Sequence, residues 1–163
     1  MAAEQVIIRE IRPEDDAQLA ELIKQVMTEI GASGEGYSIN DPEVLAMSQN
    51  YVGPRAGFLV LVRGDEVLGG GGFAQLIDAP DTVCELRKMY FYPSARGLGK
   101  AQEMLSEIIA RAKAAGYTKM YLETIPSAEK AISLYERNGF TKIPGPQGNT
   151  GHCSCDTFYE RSL

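Results

Sequence analysis

At 163 residues with 44% hydrophobic residues, the chain is the size of one domain and long enough to bury a continuous core. A net charge of −6 and a pI near 4.9 argue against duplex nucleic acid or an anionic membrane as partner, and are compatible with cationic, amine-bearing substrates. There is no apolar run of about 18 residues and no basic-then-apolar leader, and the 3 cysteines, two of them one residue apart, make no disulfide framework, so reduced thiols in a cytoplasmic protein are the expectation.

Residues 5–11 (QVIIREI) read as a short strand. Pro13 then opens a helix with acidic residues in its first turn and an apolar stripe of Leu19, Leu22, Ile23, Val26, Met27 and Ile30. Residues 31–40 are a loop, and Asp41-Pro42-Glu43 opens a second, shorter helix of poorer periodicity running to about Tyr51. Residues 58–62 form a strand, and Gly64-Asp65 a hairpin turn into the next. Gly69 to Gly72 interrupt that second strand. Four glycines there predict a bulge or a close approach by another element, because apolar residues resume in step at Phe73.

Residues 84–101, CELRKMYFYPSARGLGKA, organise the rest of the chain. Their first half is a strand stopped by Pro93. The run Arg96-Gly97-Leu98-Gly99-Lys100-Ala101 follows, and Ala101, Met104, Leu105, Ile108, Ile109 and Ala112 then recur at helical spacing. Glycines let a backbone approach a ligand, free amides and the dipole of a helix N-terminus attract anions, and Arg96 and Lys100 add charge. A phosphate or pyrophosphate is the expected occupant. A third dinucleotide-fingerprint glycine and a Gly-Lys-Ser/Thr ending are both missing. Residues 117–124 are the next strand, Pro126-Ser127 start another helix, Asn138-Gly139 end it, residues 140–143 and 157–161 are strands, and residues 144–156 are a polar loop. No repeat, low-complexity tract or linker divides residues 1–163. The order β-α-α-β-β-β-α-β-α-β-β predicts an α/β sandwich with a mixed, mostly antiparallel sheet, and the two βαβ crossovers predict two locally parallel pairs.

Arg96 to Ala101 resembles motif A of the GCN5-related N-acetyltransferase (GNAT) superfamily, and Ala131 to Phe140 (AISLYERNGF) resembles its motif B. The element order is also that superfamily's, so the resemblance covers essentially the whole chain. It implies a sheet flanked by helices on both faces and acetyl-CoA as co-substrate, with no metal. It further implies a pyrophosphate site at Arg96, Gly97, Leu98, Gly99, Lys100 and Ala101, and a backbone oxyanion donor around Met89, Tyr90 and Phe91. An asparagine common seven residues before the motif B tyrosine is Ala128 here, so Ser127 takes over its cofactor contact or the contact is absent.

Acetyl transfer to an amine also needs a base and an acid. Strict alternation places Glu85, Arg87, Met89 and Phe91 on one face. Glu85 aligns with the general base of the histone-acetylating branch, acting through water; the alternative is a surface glutamate paired with Arg87 or Lys88. Glu123 is the reserve. Tyr135 is the family's general acid, with an ordinary pKa of about 10 close to that of a thiol; the alternative is a tyrosine that only packs in the core. In the family fold the loop before the last strand, here GNTGHCSCD, borders the acceptor pocket. Asn149 and His152, the 1 histidine of the chain, are therefore candidate substrate contacts, with a base role for His152 and a local loop bond as the alternatives. His152, Cys153 and Cys155 lack a fourth ligand for zinc, and Cys153 as an acyl carrier is disfavoured against direct transfer. The resemblance thus implies an N-acetyltransferase acting on a small-molecule or protein amine, and a dimer is common in that family. Its rivals are an acyl-CoA-binding sensor without turnover and a protein-interaction module.

Overall fold

The structure is a computed structural model that describes residues 5–152 and 154–163. In chain order it contains strand β1 (Val6–Glu10), helix α1 (Asp16–Glu29), a single-turn helix α2 (Met47–Asn50), and strands β2 (Gly57–Arg63), β3 (Glu66–Gln75) and β4 (Val83–Phe91). Helix α3 (Lys100–Ala114), strand β5 (Lys119–Thr124), helix α4 (Glu129–Arg137) and strands β6 (Thr141–Ile143) and β7 (Thr157–Ser162) complete it. The strands make one 7-stranded sheet in the order β1-β2-β3-β4-β5-β7-β6. The apolar stripe of α1 packs with Val60, Val62 and Val67 on one face. On the other face Met104, Leu105 and Ile108 of α3, and Leu134 and Tyr135 of α4, pack with Leu61, Leu86 and Phe91. Helices therefore cover both faces of a mixed sheet, as the element order predicts.

Three local expectations are corrected. Among the described residues only β4 and β5 pair in parallel. The crossover through α4 does not give a second parallel pair, because β7 runs antiparallel to both β5 and β6 and lies between them. The second helix is also broken. A 3-10 turn covers Pro42–Leu45, Ala46 leaves the helical region at φ −146° and ψ 50°, and α2 has only 4 residues. This segment is held by tertiary contacts rather than by a helical face: Val44, Met47 and Tyr51 are buried, and Asp16 accepts bonds from the Ser48 amide and hydroxyl at 2.8 and 2.6 Å.

The third correction concerns β4. Gly70 lies opposite Tyr90 and Gly72 opposite Arg87, so Lys88 and Met89 together face Gly71, and Lys88 sits at φ 49°. An extra residue on one strand flips every side chain beyond it. Leu86, Met89 and Phe91 consequently share the α3 face, while Glu85 and Arg87 do not align with Met89 and Phe91. The glycine run opposite this bulge meets its expectation. A Cβ on Gly69 would run into the Phe91 ring, and one on Gly72 would lie 2.5 Å from the Gly57 carbonyl oxygen.

Candidate active site

Parallel pairing of β4 with β5 covers only Val83–Glu85 against Lys119–Tyr121. Beyond that point β4 runs on to Phe91 and β5 to Thr124, and no partner strand among the described residues fills the gap. A cleft of about 800 Å³ occupies this splay, with Gly97, Gly99 and Tyr135 on its wall as well as Glu85, Glu123 and His152. Residues 86–91 of β4, Met89, Tyr90 and Phe91 among them, make one side of it.

At one end, Pro93–Ala95 form a tight turn and Gly97 and Gly99 take φ values of 81° and 75°, a region costly for residues with a Cβ. Nothing lies within 4 Å of where a Cβ on either would stand. The glycines thus serve backbone conformation over open space, at a helix end whose first amides have no partner within the helix. Gly99 itself caps α3. Arg96 lines the cleft, but its guanidinium donates to the Phe91 carbonyl at 2.9 and 3.2 Å and to Glu29 at 2.8 Å. Lys100 pairs with Glu103 at 2.9 Å. Both cations are therefore paired within the protein. Ala101 lies on the cleft wall, whereas Leu98 is 54% exposed outside it. Ser127 lines the cleft with its hydroxyl donated to the Ile30 carbonyl at 2.7 Å, beside Ala128.

Tyr135 is also on the cleft wall. It is buried on α4 and packs on Phe140 with ring centroids 5.8 Å apart. Burial, with a smaller contribution from Tyr90, pushes its phenol well above the ordinary value, so the hydroxyl holds its proton at neutral pH.

The far end is built from side chains. Glu85 is 4% exposed and accepts a bond from Arg87 Nε at 2.7 Å, so the pair with Arg87 exists but is buried rather than superficial. Burial raises the Glu85 carboxyl, with Arg87 opposing. Glu123 accepts from the Tyr121 hydroxyl at 2.5 Å and from the Thr150 hydroxyl at 2.5 Å. His152 Nε2 lies 2.8 Å from Asp41 Oδ2. The same oxygen accepts from Lys88 Nζ at 2.7 Å, and Glu43 is 3.4 Å from that ammonium. The Lys88 side chain is only 2% exposed. A buried ammonium is tolerable only when paired, and the left-handed bulge aims it at two carboxylates. Burial opposes the charge of Asp41, yet the bonds from His152 and Lys88 prevail and hold its carboxyl below the ordinary value.

Asn149 is not on the cleft wall. It shapes the loop, its amide donating to the Ile77 carbonyl at 2.7 Å and its side chain accepting from Gly151. Cys155 does reach the wall, and burial with nearby Glu123 pushes its thiol up to about 12, which leaves it protonated and a poor nucleophile. Cys153 lies outside the described residues. Among the described residues no group of three or more His, Cys, Asp or Glu is placed to hold a metal ion. Sequence reasoning missed Asp41, Lys88 and Thr150. The one available signal was Lys88 as a third charged residue, after Glu85 and Arg87, inside the strand that Pro93 stops.

An open mixed sheet with two strands parted over a glycine turn and a helix N-terminus defines a class, and comparison with known proteins agrees. The chain belongs to the acetyltransferase (GNAT) family, whose model matches residues 20–140. It is 35% identical over 164 residues to "Uncharacterized N-acetyltransferase YjgM" of Escherichia coli (strain K12), covering 100% of this chain and 98% of that one. It is 30% identical over 149 residues to "IAA acetyltransferase" of Azospirillum brasilense, covering 91% and 95%. Among solved structures, an acetyltransferase of GNAT family from Staphylococcus aureus Mu50 shares the fold with a TM-score of 0.85 at 22% identity over 98% of this chain and 99% of that one. The PaiA N-acetyltransferase from Thermoplasma acidophilum, in complex with coenzyme A, does so at 0.71 and 19%, covering 98% and 99%. The protein is thus an acyltransferase of this family. None of its described helices is long and apolar enough to cross a membrane.

Proposed function

We propose that the cleft binds acetyl-CoA and passes its acetyl group directly to a primary amine in a ternary complex. The observation that carries this reading is a single cleft whose wall holds the Gly97–Gly99 turn, Tyr135 and the carboxylates of Glu85 and Glu123 together. The residues fit the donor. Amides at the start of α3 suit a pyrophosphate, and the stretch of β4 that lines the cleft over residues 86–91 suits an extended amide-bearing arm. The fold neighbour that holds coenzyme A supports the same assignment. When bound, the donor supplies a thioester already activated toward amines.

The protein's share is positioning and proton handling. Backbone amides in the bulged stretch Met89–Phe91 polarise the thioester carbonyl, a preorganised donor being worth more in a dry cleft than in water. Glu85, raised toward the working range of a general base by burial, takes the amine proton through a water. Tyr135, kept neutral by its own burial, returns a proton to the departing thiolate. Holding both reactants in one cleft adds a proximity contribution. Acetyl-CoA titration by calorimetry, with CoA thiol release followed across an amine panel, tests the reading. Binding together with release is the expected result. Binding without release from any amine points to a sensor, and no binding overturns the assignment altogether.

A further inference from the structure

The two strands are tied to each other just beyond the point where they part. Lys88 on β4 holds Asp41 at 2.7 Å, Asp41 holds His152 at 2.8 Å, the His152 amide donates to the Thr150 hydroxyl at 3.2 Å, and that hydroxyl donates to Glu123 on β5 at 2.5 Å. This belt of bonds runs from one parted strand to the other across the far end of the cleft. Two further bonds lock it to the loop after α1, the Ser154 hydroxyl and amide donating to the carbonyls of Glu35 and Gly36 at 2.6 and 3.2 Å. An extended polypeptide needs an open trough between these two loops, and a belt closes it.

The belt also leaves a charge surplus. Glu85 is matched by Arg87, and Lys88 is shared between Asp41 and Glu43. Glu123 has only hydroxyl donors, and no lysine or arginine among the described residues pairs with it. Four carboxylates therefore face two cations and one histidine. The attacking nitrogen must be neutral when it reacts, so surplus negative charge helps a substrate only if that substrate carries a second, persistent positive charge.

Building on the acetyl transfer proposed above, we propose that the acceptor is a small free diamine, with one nitrogen acetylated and the other ammonium held by Glu123, and that polypeptide amines are excluded by the belt from residue 88 to residue 123. The nitrogen forms the new amide bond as the carbon–sulfur bond breaks, and the proton it loses balances the one the thiolate gains.

The test compares 1,4-diaminobutane, 1-aminobutane and a lysine-containing peptide as acceptors, with wild-type protein and Glu123→Gln. The diamine should exceed both others at least about tenfold in kcat/KM, and Glu123→Gln should raise its KM roughly ten- to hundredfold, the worth of one hydrogen bond to a charge. The same variant should lower kcat/KM for 1-aminobutane by far less than it lowers that for the diamine. Equal use of the peptide, or an unchanged diamine KM in Glu123→Gln, overturns the proposal. Calorimetry of 1,4-diaminobutane on the CoA-loaded protein separates this from the fate of the transfer reading. Binding that Glu123→Gln weakens supports the diamine site even without turnover, and absent binding with turnover of other amines sinks it while acetyl transfer stands.

Discussion

The two ends of the cleft are made of different material. The end at residues 93–101 is backbone: a proline turn, two glycines at positive φ and the bare amides of a helix. The end at residues 41, 88, 123 and 152 is side chain, a chain of ion pairs and hydrogen bonds drawn from two loops and two strands. Backbone donors read a diphosphate shared by any acyl-CoA and need no side chain to do so. Side chains from separate loops can be exchanged without disturbing the sheet, so a family can keep its donor and change its acceptor.

The sharpest division between holding the donor and doing the chemistry lies at Tyr135. Replacing Tyr135 by Phe should lower kcat by about 100-fold, the low end for a lost general acid, with acetyl-CoA affinity within about twofold. Stopped-flow CoA release and calorimetry check the two halves, and unaltered kcat would reduce this tyrosine to packing. Next in size is Lys88→Met. It strips Asp41 and Glu43 of their cation and should destabilise the fold by about 2 kcal/mol in urea unfolding, below the usual figure for a broken buried pair because both carboxylates keep some solvent. No change in midpoint would show that the acceptor end is not tied through this lysine.

Gly99→Val probes the backbone end by itself. At φ 75° with open space around the missing Cβ, the substitution strains the turn and projects a side chain over it. Acetyl-CoA affinity should fall roughly tenfold, from about 1–2 kcal/mol of left-handed strain, and full affinity would relocate the phosphate site. The smallest effect distinguishes two acids of the same end by sign. Asp41 has a folded pKa below its unfolded value of about 3.9. Its contribution is therefore complete above that value and lost as pH falls through the lower folded one. Glu85 has a folded pKa above its unfolded value of about 4.3. Its contribution is present below that value and lost as pH rises through the folded one. Asp41→Asn should flatten the acid limb of a stability–pH curve, and Glu85→Gln should remove the loss on the higher side. If both variants alter the same limb, one direction is misassigned.

Sequence by itself determined the backbone end and the order of elements. A stop at Pro93, glycines at 97 and 99 and an apolar period from Ala101 are local properties of φ, ψ and helical spacing, so they can be read without a partner in view. The helix that carries Tyr135 was legible for the same reason, from Ala131 and Ile132 at helical spacing in a segment that ends at Gly139. The role of the tyrosine came only from the resemblance of residues 131–140 to the family's motif B. Tertiary structure decided what depends on register. The bulge at Lys88 arises where β4 is matched against the glycines of β3, and it moved Met89 and Phe91 away from the face of Glu85 that strict alternation had given them. Tertiary structure likewise brought His152 against Asp41, 111 positions earlier in the chain, and put β7 between β5 and β6. Periodicity carries no information about which distant charges will be forced to neutralise one another once a lysine is buried, and that neutralisation is what ties Lys88 to Asp41, Glu43 and, through Asp41, to His152.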